Sequence, residues 1–149
     1  MESPTPERRG HEEGIVDAFL TADARRRARE LLWSSHRSKW TSKLAHSMDF
    51  DRQVIVAIPA DSQTASKIEK LLRVKGAPAA CWVVSERSDW DGGQLPLADA
   101  LEAVVGAGFG TVISCIPGRL GYFEGEGPRN RHLLERPELV NPFETTRVI

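Results

Sequence analysis

Three short apolar runs constrain this chain more than anything else in it: residues 53–58 (QVIVAI), 79–85 (AACWVVS) and 111–116 (TVISCI). Each is rich in β-branched side chains. None shows the apolar–polar alternation of a strand with one wet face, so each reads as a strand covered on both sides. The stretches between them carry helical spacing and helix punctuation. After the first run, Asp61 or Ser62 caps a helix over 63–74 with Ala65, Ile68, Leu71 and Leu72 inward, and Gly76 and Pro78 stop it. After the second, Pro96 opens a helix over 97–105 with Leu97, Leu101, Val104 and Val105 inward, ended by Gly106 and Gly108.

Strand–helix–strand units imply right-handed crossovers and parallel pairing. Past the third run, Pro117-Gly118 is a reversing turn, because Pro presets the first central position and Gly accepts the positive φ of the second. Residues 120–124 then return antiparallel, and 131–135 follow as a fifth strand after Gly125 and Gly127-Pro128. The expected fold is α/β, with α+β as the variant. It has a mixed sheet of about five strands, a β-α-β-α-β core and a C-terminal antiparallel hairpin or meander. Three helices pack on it.

The third of these helices is a long N-terminal one over 23–47, capped by Thr21 or Asp23 and uninterrupted by Gly or Pro. Residues 15–20 form a short apolar cluster ahead of it. Residues 1–13 are dominated by Pro and charge and read as a disordered tail, and 137–149 as an irregular one. Residues 14–136 are then one domain, and a chain of 149 residues is long enough to bury a core without staples.

The formal net charge of −1 gives no overall field for nucleic acid, so such binding needs a local patch. No stretch approaches the ~20 apolar residues of a membrane span. Residues 1–13 lack the apolar core of a secretory signal, which points to the cytoplasm. Fifteen arginines against five lysines fit a GC-rich, bacterial-like coding bias better than a binding role. The two cysteines, Cys81 and Cys115, lie in strand-like runs and read as reduced core thiols.

Two surfaces are candidates for function. On the long helix, Arg25, Arg29, His36, Lys39 and Lys43 form a stripe at 100° per residue, beside Trp33 and Trp40. Cations that neutralise phosphates beside indoles that stack on bases would suit nucleic acid. The plainer account puts the tryptophans in the core and the arginines on a solvated face. The second surface follows from parallel strands, whose C-terminal ends tend to hold ligands. Those ends carry Asp61, Ser62, Glu86, Asp89, Asp91, Cys115 and Arg119, with a helix start for an anion. There the plainer account is a structural cap and an ordinary polar loop.

Other motifs fail on spacing. Counted from Asp89, an EF-hand would need an oxygen ligand at Gly93, Gly at Gln94 and Glu at Ala100. The glycines of 106–110 run from helix into strand, the reverse of a dinucleotide loop. No histidine is spaced to activate Cys115 or to share a zinc ion with the cysteines. The sequence therefore points to no metal, no cofactor and no catalytic constellation. It points to a binding or regulatory domain acting through a protein partner or through itself, the latter by an edge strand in a symmetric dimer. The alternatives are a nucleic-acid-binding module using the Arg25–Lys43 helix face, and a small-molecule binder or small enzyme with its site at the strand ends.

Overall fold

The apolar runs do become strands in the computed structural model, which describes residues 4–47 and 49–136. The strands are β1 (Ile55–Ala57), β2 (Ala80–Ser85), β3 (Gln94–Pro96), β4 (Thr111–Ile116), β5 (Leu120–Glu124) and β6 (Arg131–Glu135). They form one sheet in the order β1-β6-β5-β4-β2-β3. Helices α1 (Pro6–Gly14), α2 (Ala22–Leu32) and α3 (Arg37–Thr41) cover one face, and α4 (Ala65–Val74) and α5 (Leu97–Val104) the other. The class is the expected mixture of helix and sheet, with six strands rather than five.

Pairing is antiparallel at every step, which corrects the parallel crossovers expected from the sequence. The reason is β3. The loop after β2 does not lead straight into a helix. It turns back, and Cys81 pairs with Leu95 before Pro96 starts α5. That extra reversal makes β4 enter against β2, with Val83 opposite Ile113. Strands β1 and β2 do point the same way, but β6, β5 and β4 lie between them. The hairpin at Pro117-Gly118 forms as expected, with Gly118 at φ 69°.

Burial explains the missing alternation on β4, whereas β1 lies at the sheet edge with Val56 and Ala57 exposed, not covered on both sides as expected. On β4, residues 111–115 are all buried, because both faces are covered. Val84, Val112, Phe123 and Leu134 point to the N-terminal helices, where they meet Phe19, Leu20, Leu32 and Leu44. Val83, Ile113, Tyr122 and Leu133 point the other way, onto Ile68, Leu72, Leu97 and Leu101. Burying each of these large apolar side chains is worth about 1.5–3 kcal/mol.

The N-terminal region departs most from expectation. The long helix over 23–47 is broken into α2, α3 and a 3-10 turn at Leu44–His46. At the break, Ser34 Oγ donates to the Leu31 carbonyl and accepts the His36 N–H, so a side chain takes over backbone partners that the helix would use. Residues 6–13, read as tail, belong to α1. Thr5 caps it by accepting the Arg8 N–H, with Pro6 in the first turn. This helix docks through buried polar residues, His11 and Glu12, which is why its sequence looked too polar to pack. At its end, a side chain on Gly14 would collide with the backbone N of Gly118. The expected tail 137–149 lies outside the described residues.

Candidate functional site

Among the strand-end residues nominated from sequence, antiparallel pairing scatters the set. Asp61 and Ser62 sit in a 3-10 turn, and it is Thr64, accepting the Lys67 N–H, that caps α4. They share a sheet end with Glu86, Asp89 and Asp91, but four strand spacings separate β1 from β2, roughly 19 Å at ~4.8 Å each. Asp89 is exposed and bound to Arg87, whose hydrogen bond lowers its carboxyl. Cys115 and Arg119 lie at the opposite end, on β4 and its turn. Cys115 is buried and desolvation pushes its thiol up to about 12, as it does for Cys81. Neither thiol is a nucleophile at neutral pH.

Asp91 is the member of that set with a clear task. Its carboxylate accepts the Arg37 guanidinium at 2.7 and 3.0 Å and the Ser85 N–H at 3.0 Å. Arg37 also donates to both oxygens of Glu12, at 2.9 and 2.7 Å. Glu12, 1% exposed, further accepts Arg8 Nε and Trp33 Nε1. Burial works to raise the Glu12 carboxyl, but the hydrogen bonds and charges of Arg37 and Arg8 outweigh it and hold the group low. Burial likewise opposes the Arg37 charge, and Glu12 and Asp91 more than compensate. This ionic bridge joins α1, α3 and the β2–β3 loop. All its groups are satisfied, so it is a fastening. His11 Nδ1 lies 2.7 Å from Ser114 Oγ, and burial lowers its pKa. The pair resembles a nucleophile and base, but both residues are buried under α1, so it too is a fastening. Sequence spacing gave no hint of either contact.

The basic stripe is split by the break in the helix. Arg25 donates to the Leu20 carbonyl, Arg29 pairs with Asp17, and His36 lies exposed at the junction. Trp40 is 6% exposed, with its ring packed in the core and one side lining a cleft. Trp33 lies under Arg9 at 3.8 Å. Lys39 and Lys43 remain, and they line a cleft.

That cleft, about 380 Å³, opens between the start of α2 and the α3 region. Arg27, Lys39 and Lys43 stand around it with Asp23 and Asp49. A second groove of about 250 Å³ adjoins it, with Ser47 lining both. The groove's apolar floor is Phe50, Phe123 and Ile55, the two rings packed at 4.6 Å. Arg52, Arg129, Asn130 and His132 rise around it, and among the described residues no carboxylate lines it. No protein-family model, curated protein or solved structure matches this chain. The site is therefore read from its own geometry.

Several local devices hold the groove in place. The 49–51 segment pairs with 19–21: Thr21 N–H donates to the Asp49 carbonyl and Asp51 N–H to that of Phe19, each at 2.8 Å. Asp51 then accepts the Gln53 N–H, which turns the chain so that Arg52 projects at the rim. Opposite, Gly127 at φ 79° lets the β5–β6 connection turn, and the 3-10 turn Pro128–Asn130 presents Arg129 and Asn130. His132 lies beside Phe123 across the β5–β6 pair, and burial lowers its pKa, so it is neutral at pH 7. Ser47 is set by its neighbour Ala45, whose carbonyl accepts the Glu126 N–H at 2.9 Å and whose backbone leaves no room for a side chain on Gly110.

Among the described residues no three His, Cys, Asp or Glu side chains group in a way that could hold a metal ion. No helix of the described residues is long and apolar enough to cross a membrane. The chemistry on offer in the groove is electrostatic and apolar recognition.

Proposed function

We propose that this protein is a binding module that captures a small organic anion in the groove beside Phe50 and Phe123. The observation that carries the reading is the make-up of the groove. Two exposed guanidinium groups, Arg52 and Arg129, and the neutral imidazole of His132 surround an apolar floor, with no carboxylate among the described lining residues. Planar guanidinium forks suit carboxylate, phosphate or sulfonate oxygens. At about 250 Å³ the groove takes a ring system with one charged substituent rather than a large cofactor.

The direct test is titration with 8-anilinonaphthalene-1-sulfonate, an aromatic body with one sulfonate. Saturable binding that disappears in Arg52→Ala/Arg129→Ala, with unfolding unchanged, supports the reading. Both side chains are exposed, so their loss should leave stability within about 0.5 kcal/mol. Absent or unaltered binding overturns it.

A protein partner has one observation in its favour. Arg87 lies over Trp90 at 4.5 Å and over Phe109 at 5.1 Å, and Phe109 is 39% exposed. Trp and Arg are enriched where interfaces draw their energy. For a second copy of this chain as partner, sedimentation should show concentration-dependent association that Phe109→Ser abolishes. A monomer at every concentration would remove self-association.

A further inference from the structure

We infer that the groove holds only one end of its ligand, and that the ligand is a short single-stranded nucleic acid. Its terminal base sits beside Phe50 and Phe123, and its phosphates run past Ser47 into the neighbouring cleft. This rests on the groove being a binding site for an organic anion.

Four observations carry the extension. First, the two depressions are adjacent, since Ser47 lines both. Second, the cations exceed what one charge needs. Arg52 and Arg129 suffice for a monoanion, yet exposed Arg27, Lys39 and Lys43 stand around the adjoining cleft. Among the described residues none of these five forms an ion pair. Set against Asp23 and Asp49 they leave the path net positive, and a ligand with repeated negative groups neutralises it. Third, Ser47 Oγ accepts the Asp49 N–H at 3.2 Å, which leaves its own proton to donate to an oxygen at the crossing. Fourth, Asp23 and Asp49 in the same cleft are acceptors. A bare polyphosphate offers them nothing, whereas ribonucleotides supply sugar hydroxyls as donors. A concave path beside an apolar floor suits a strand with unstacked bases rather than a duplex.

The test uses the full chain and a 5′-fluorescein decauridylate, followed by anisotropy over a range of salt. The decamer should bind roughly tenfold or more tighter than uridine monophosphate, which reaches only the groove. Its affinity should fall with salt with a log–log slope of about −0.7 per phosphate contacted, so at most about −3.5 for five cations. Lys39→Ala/Lys43→Ala should reduce that slope by about 1.4 while leaving anilinonaphthalene sulfonate binding intact. A decamer no tighter than the monophosphate, a slope unchanged in the variant, or polyphosphate competing equally charge for charge would each overturn the extension. If the sulfonate binds and the decamer gains nothing, only the extension fails. If neither binds, the groove reading fails with it.

Discussion

On one face of the sheet, Ile113, Tyr122 and Leu133 meet Ile68, Leu72, Leu97 and Leu101 from two unbroken helices. On the other, Val84, Val112, Phe123 and Leu134 meet a cover made of pieces: α1, a π-turn at Ile15–Phe19, α2, α3 and residues 44–47 and 49–54. The first cover is held by apolar packing, with its buried charge confined to one corner. There Glu124 accepts Tyr122 Oη at 2.5 Å and the Gly106 and Gly108 N–H groups, and pairs with Arg131 at 3.2 Å. The second is fastened by ions, through Glu12, Arg37 and Asp91. A cover in pieces leaves gaps, and both clefts open among those pieces. Apolar packing and the two adjoining clefts are thus divided between the faces, with a separate depression along α4 on the first.

The largest effect that could break this contrast is Arg37→Ala. It strands Glu12 and Asp91 without their shared cation, and urea unfolding should show a loss of about 3–5 kcal/mol. A loss under about 1 kcal/mol would mean that apolar contacts alone hold the N-terminal layer. Next comes Leu101→Ala, which opens a cavity on the opposite face at a cost of about 3 kcal/mol. Anilinonaphthalene sulfonate binding at temperatures where the variant is folded should be unchanged. If binding falls as well, the faces are coupled and the division is wrong.

A smaller, matched comparison uses the helix caps. Thr21 caps α2 by accepting the Ala24 N–H, and Thr64 caps α4 in the same way through Lys67. Each Thr→Ala should cost about 1 kcal/mol. Only Thr21→Ala should alter oligonucleotide affinity, since Thr21 lines the cleft. The smallest effect is with pH. Burial lowers the pKa of His11 below the 6.5 of the unfolded chain, so the folded state binds that proton less readily. The stability present above 6.5 is then lost as pH falls from there toward His11's folded value, and His132 acts with the same sign. Thermal melts should show this decline, and His11→Asn should flatten it while keeping a polar partner for Ser114.

Much of the sheet was legible because β-branched runs carry their own signal. Its direction was not, because the reversal depends on three residues, Gln94–Pro96, too few and too polar to read as a strand. The break after Leu32 was written in Trp33-Ser34-Ser35-His36, residues of middling helix propensity, but no Gly or Pro announced it. The helix at Pro6–Gly14 was hidden because its buried positions are His and Glu, whose partners come from distant segments. Of the nominated basic residues, Lys39 and Lys43 do line a cleft beside Trp40. Arg52, Arg129, Phe50 and Phe123 went unnoticed since Phe50 and Arg52 precede β1 while Phe123 and Arg129 lie on and after β5, and only the β1–β6–β5 pairing brings them together.

The register of the sheet also sets a timetable for synthesis. His11 finds its partner Ser114 103 residues further on, and Ile55 waits for Leu134. At ribosomal speeds of ~5–20 residues per second, the first of those gaps lasts about 5–20 s. Through that interval Ile15, Phe19, Leu20 and Leu32 have no sheet to lie on, because its central strands have not emerged. The first third of the nascent chain is the part most exposed to aggregation and most in need of a chaperone's shelter.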